Sequence, residues 1–155
     1  MNLWTLDGVK SWAVAAVGVT MQAVATPTLA QEENPWKQGN YWDVSGIHVK
    51  DGSGLKYAQF LASSWVKNQE FAKSQGWISS YMVLSNEYPR EGEPDLYLIR
   101  VYASVPSADE QEKRGQAFRE FNKKTMAQLQ AESGARADYR TSGSQVLLRE
   151  LVLRK

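Results

Sequence analysis

Residues Trp77–Ser104 read WISSYMVLSNEYPREGEPDLYLIRVYAS, and the fold turns on this stretch. Its two ends, Trp77–Tyr88 and Leu96–Ser104, are rich in aromatic and β-branched residues and read as strands. Between them Pro89–Asp95 (PREGEPD) carries two prolines and a glycine, which break regular structure, and so short a loop favours a hairpin. Leu96–Ser104 is nearly continuous in apolar and aromatic residues, as expected of a central strand covered on both faces.

Working outward, each strand of the hairpin is flanked by a helix. Upstream, Leu55–Gln75 shows helical periodicity, with Leu55, Ala58, Leu61, Ala62, Trp65 and Ala72 on one stripe and Gly76 placed to end it in the left-handed conformation. Before it, Tyr41–Lys50 reads as a strand closed by the turn Asp51-Gly52-Ser53-Gly54, where Ser53 is positioned as a helix cap. Downstream, Ser107-Ala108-Asp109-Glu110 is a capping box opening a helix to about Ala131, with Phe118, Phe121, Thr125 and Leu129 as its buried stripe. Ala135–Ser144 is polar and reads as a loop, and Gln145–Leu153 as a fourth strand.

The order β-α-β-β-α-β, with right-handed crossovers, puts both helices on one face of a four-stranded antiparallel sheet. This is an α+β fold of the ferredoxin-like type with expected strand order 4-1-3-2. The other face is left open, and Tyr102, Val146, Leu148 and Val152 are expected to make it partly apolar. Such a patch marks an interface, and two sheets packed face to face form a homodimeric α/β barrel.

The first thirty residues differ in composition. The apolar run Ser11–Ala25 is followed by Thr26-Pro27-Thr28-Leu29-Ala30, which offers small residues at −3 and −1 of a signal-peptidase site. Residues 1–30 therefore read as a secretory signal peptide, 31–40 as an arm and 41–155 as the domain. The run is interrupted by Thr20 and Gln22, short of the ~20 apolar residues of a stable span. The expected location is periplasmic or secreted, with no membrane span after cleavage.

Composition narrows the chemistry. The 155 residues include 18 basic and 17 acidic ones, for a formal net charge of +1, which favours neither nucleic acid nor an acidic membrane surface. Zero Cys excludes disulfides, thiolate catalysis and Cys-ligated metals, and a single His excludes a multi-His metal site. No phosphate-binding glycine motif or G-x-S-x-G elbow occurs.

His48 is that single His and lies on the first strand. Alternation groups it with Val44, Gly46 and Lys50, opposite Ser45, Ile47 and Val49. If Ile47 and Val49 pack under the helices, His48 points into the barrel lumen. On the third strand, taken as adjacent and parallel to the first, Arg100 is hard to bury under helices. It therefore groups with Tyr102 on the lumen face, beside His48 and Glu150. An imidazole, a guanidinium and a phenol so placed can exchange a proton and stabilise an anion, or can form a buried polar network that keeps a dimer in register. Trp42, Trp77 and Tyr81 are the candidate walls of a pocket for a planar ligand.

The runs Ile47-His48-Val49-Lys50-Asp51-Gly52 and Gly76-Trp77-Ile78-Ser79-Ser80-Tyr81, with Trp65 midway along the helix between them, resemble a family of bacterial proteins within the dimeric α/β-barrel superfamily. The resemblance covers about Tyr41–Arg154 and implies a fold more than an activity. That superfamily includes cofactor-independent monooxygenases, haem-degrading enzymes, peroxidases and stress-induced proteins, and none of their catalytic signatures maps here residue by residue. Two function classes stay open. One is an exported homodimer that binds a small aromatic or apolar molecule or another partner. The other is an oxygenase without cofactor, or a haem-dependent oxidoreductase, using His48.

Overall fold

In the computed structural model, residues 33–155 are described. The expected leader, residues 1–30, lies outside them. Four strands, β1 (Trp36–Val49), β2 (Ser80–Ser85), β3 (Leu96–Tyr102) and β4 (Arg140–Leu153), form one sheet in the order β2-β3-β1-β4. Every neighbouring pair is antiparallel. The chain is thus α+β with the strand order expected from sequence, compatible with a ferredoxin-like arrangement. The parallel pairing expected between the first and third strands is corrected: Asp43 stands opposite Arg100 and Ile47 opposite Leu96 in an antiparallel ladder. With β1 and β2 running the same way across a helical crossover, the strand inserted between them must run against both.

β1 also begins earlier than expected. Trp36, Lys37 and Gln38 pair with Leu153, Val152 and Leu151, so half of the expected arm is strand. The fourth strand is likewise longer, since its polar start at Arg140 follows a 3-10 turn (Arg136–Asp138) and pairs with Val49.

The first crossover consists of α1 (Gly54–Phe60), a π-helical turn (Leu61–Trp65) and α2 (Val66–Ser74). Its inward residues differ from the expected stripe: Leu55 is exposed, whereas Tyr57, Leu61 and Gln69 are buried and Trp65 half-buried. These four are spaced by four residues. An ideal helix of 3.6 residues per turn lets such a row drift around its axis, and the wider π turn restores it to one face. The Ser63 hydroxyl donates to the Gln59 carbonyl at 2.6 Å, supplying a partner where the ladder is widened. Ser53 makes no side-chain cap. At the far end Gly76, with φ of 69°, closes a Schellman motif: its amide reaches the Lys73 carbonyl and that of Trp77 the Ala72 carbonyl.

The second crossover is two helices rather than one. α3 (Ala108–Asn122) ends where Lys123 turns left-handed at φ of 52°, and α4 (Met126–Ala135) starts afresh. Thr125, expected on the buried stripe, is instead the N-cap of α4, in a capping box with Gln128. At α3 only the Ser107 half of the expected box forms, because the Glu110 carboxylate takes the Arg114 Nε–H at 2.9 Å.

Ile47, Tyr57 and Leu61 make the core, with Leu96 and Leu98 packed on it. Phe71 of α2 stacks on Phe121 of α3 at 4.0 Å. The helices therefore cover the face that carries the odd-numbered residues of β1 and the even-numbered residues of β3. The opposite face bears Trp42, Val44 and His48 of β1 and Ile99 and Val101 of β3, the last two 5% and 4% exposed, with Leu148 opposite Trp42 and Val146 opposite Val44. Leu148 is 52% and Val146 44% exposed. Among the described residues no helix is long and apolar enough to cross a membrane.

Candidate functional site: a cleft between sheet and helices

Alternation along the antiparallel β1–β3 ladder determines which side chains meet. Asp43 shares a face with Ile47, so it points under the helices, and its ladder partner Arg100 must do the same. A guanidinium is poorly placed there alone, but Arg100 Nη2 donates to Asp43 Oδ2 at 2.5 Å. The carboxylate's other oxygen accepts from Gln145 Nε2 at 3.1 Å. The expectation that Arg100 and Tyr102 face the open side is thereby corrected, since a carboxylate of matching parity compensates the cation.

This pair lies at the floor of a cleft of about 440 Å³ roofed by α2 and α3. Trp77, Tyr102 and Phe118 give it aromatic walls, and Asn68, Gln69 and Gln111 add amides. Asn68 Oδ1 is buried with no hydrogen-bond partner, leaving an acceptor for a ligand donor. Arg114 lies over the Trp77 ring at 5.5 Å, held by Glu110. Tyr102 stacks on Tyr41 with centroids 5.9 Å apart. Burial first, and then the negative charge of Asp43, push the Tyr102 phenol above the usual tyrosine range, so it is a neutral hydroxyl at physiological pH.

The other candidates are dispersed. His48 lies on the opposite face of the sheet from Arg100 and Tyr102, where its Nε2 would stand 2.9 Å from a Cβ added to Gly143. The expected convergence of His48, Arg100 and Tyr102 is therefore broken: two of the three share the cleft and the imidazole does not. Glu150 accepts from the Asn40 amide at 3.1 Å, fastened to the β1 bulge. Among the expected aromatic walls, only Trp77 lines the cleft. Trp42 is on the open face, and Tyr81 packs edge-on against Trp65 and donates to Glu70.

Asp43 and Gln69 are the residues that sequence reasoning missed. The signal for Asp43 was present: it has the parity of Ile47, and a carboxylate at a core-facing strand position requires a cation on the neighbouring strand. Gln69 shares the four-residue spacing of Tyr57, Leu61 and Trp65. Among the described residues no group of three or more His, Asp or Glu side chains is placed to hold a metal ion. Comparison with family models, with curated proteins and with solved structures finds no match to this chain, so its functional reading rests on the cleft itself.

Proposed function

We propose that this chain is an exported homodimer of the ferredoxin-like, dimeric α/β-barrel type that binds a small aromatic or apolar molecule. The observation that carries the ligand is the cleft: aromatic walls around a few convergent polar groups are the usual make-up of small-molecule sites. The Asp43–Arg100 pair and the Asn68 carbonyl orient a polar substituent while Trp77 and Phe118 accept a ring. With His48 on the other face, the imidazole that the oxygenase and haem readings require is not in the cleft, and the reading adopted is binding.

The dimer is supported by the open sheet face, where Val146 and Leu148 leave apolar surface uncovered beside Trp42 and Val44. The resemblance of Ile47–Gly52 and Gly76–Tyr81 to barrel-forming proteins points the same way, and the leader-like composition of residues 1–30 supports export. A titration with 2-naphthol, followed by tryptophan fluorescence, tests the ligand reading. Saturable quenching is expected in the wild type and not in Ala72→Trp, which fills the cleft from α2. Identical, unsaturable quenching in both would refute it. Light scattering tests the dimer: Leu148→Asp should be monomeric, and a wild type already monomeric at micromolar concentration would sink the barrel.

A further inference from the structure

A second cavity, of about 270 Å³, lies under α1 where β4 begins, and Tyr57, Arg136, Arg140 and Ser142 are among its walls. Tyr57 is only 1% exposed, yet its hydroxyl has no hydrogen-bond partner. The Nε atoms of Arg136 and Arg140 are buried and without an acceptor as well. One other nitrogen of each guanidinium is engaged: Arg136 Nη1 donates to the Glu132 carbonyl at 3.1 Å, and Arg140 Nη1 to the Ser142 hydroxyl. Among the described residues no carboxylate lies within ion-pair distance of either arginine, and the Glu132 side chain is taken by Lys124 at 2.6 Å.

Two cations and a phenol thus converge on one pocket with donors to offer and nothing to receive them. Native interiors rarely leave several buried donors unmet at one place. Burial, and next the charge of Arg140, hold the Arg136 guanidinium below the usual arginine range. Both arginines oppose the effect of burial on the Tyr57 phenol, so both positive charges face that hydroxyl. What suits the set is an acceptor carrying negative charge, because two guanidinium groups repel a cation and offer only donors, and the Tyr57 hydroxyl can donate as well.

We propose that this pocket binds a small oxyanion, held by the Nε–H groups of Arg136 and Arg140 and by the Tyr57 hydroxyl. The Arg136 guanidinium lies over the Phe60 ring at 4.9 Å, which fixes its plane, and Phe60, Trp65 and Leu98 supply an apolar wall for the body of a carboxylic acid. Planar carboxylates and tetrahedral phosphates share the required chemistry. Gln69 and Arg100 border both this cavity and the cleft between α2 and α3, but Arg136, Arg140 and Tyr57 do not line that cleft, so variants at these three test this site separately from the proposed aromatic-ligand site.

The test is a titration of the full chain with sodium benzoate and, separately, sodium phosphate, each at ionic strength matched with chloride. The readout is the arginine Nε–H cross-peaks in proton–nitrogen spectra, those of Arg136 and Arg140 being assigned by their absence from Arg136→Lys and Arg140→Lys. Saturable movement of both peaks is expected with at least one anion, and the stronger arm distinguishes carboxylate from phosphate. Arg140→Gln should weaken binding at least tenfold. Tyr57→Phe, which deletes one buried oxygen and leaves the carbon framework, should weaken it several-fold and decides the matter should Arg140→Gln fail to fold. No saturable movement with either anion, or wild-type affinity in Tyr57→Phe, would overturn the site.

Discussion

Cutting Arg100 back to alanine should destabilise the fold more than cutting back its partner Asp43. The asymmetry follows from exposure: the Arg100 side chain is 44% exposed and that of Asp43 11%. In Arg100→Ala the buried carboxylate keeps only the Gln145 amide at 3.1 Å. Breaking a buried pair from one side costs about 3–5 kcal/mol, and the open cleft, which lets water approach, places this case near ~3. In Asp43→Ala the guanidinium is left half in water and loses one charge-assisted bond, a change of about 1–2 kcal/mol. In the double variant the uncompensated charge is gone, so its loss should be no greater than that of Arg100→Ala alone, and the coupling energy at least about 1–2 kcal/mol. Urea unfolding of the four proteins at neutral pH measures every term. Equal losses in the two single variants, or a coupling below about 0.5 kcal/mol, would show that the pair is a solvated surface contact and that the cleft floor has been misread.

Three further outcomes are expected. Lys123→Gly relieves a left-handed residue at φ of 52° and should stabilise the chain by up to about 1 kcal/mol in thermal or urea unfolding. Thr125→Ala removes a complete capping box and should lose about 1 kcal/mol, more than Ser107→Ala, whose box is half made. The Tyr57 phenol titrates above its ordinary value of 10.0, chiefly because it is buried. The unfolded chain then gives up that proton first as pH rises, so the stability this group contributes is present below pH 10 and is lost above it. Urea midpoints between pH 9 and 11 should fall less steeply in Tyr57→Phe than in the wild type, and parallel profiles would contradict the assignment.

Much of this architecture was legible from local pattern. The prolines and glycine of Pro89–Asp95 favoured a hairpin, Gly76 stopped a helix, and two helical stretches between strands pointed to the strand order found, though not to the antiparallel direction of β1 against β3. These features act through the backbone of a few neighbouring residues, where conformational preference is decided within the chain itself. The break at Lys123 was legible too, in the Thr125-x-x-Gln128 spacing, but it competes with a helical pattern that continues across it. The extra length of β1 and β4 was not, because each end is held by the other across about 90 to 120 residues of sequence.

The cleft was beyond the reach of local pattern for a related reason. Parity along a strand says which side chains share a face, and it grouped His48 against Ile47 correctly. It does not say which face of a second strand meets that group, and Arg100 was placed by its dislike of burial alone. Only the antiparallel register of β1 with β3 brought Asp43 opposite Arg100 and made a cation on the helix-covered face half of an ion pair. The same holds for Tyr57, Arg136 and Arg140, whose donors converge from a helix, a 3-10 turn and a strand. By itself the sequence determined four strands, their order in the sheet and the helical crossovers between them. The tertiary structure decided which charges meet, because an electrostatic partner is chosen by distance in space, and distance in space is set by strand register and helix packing.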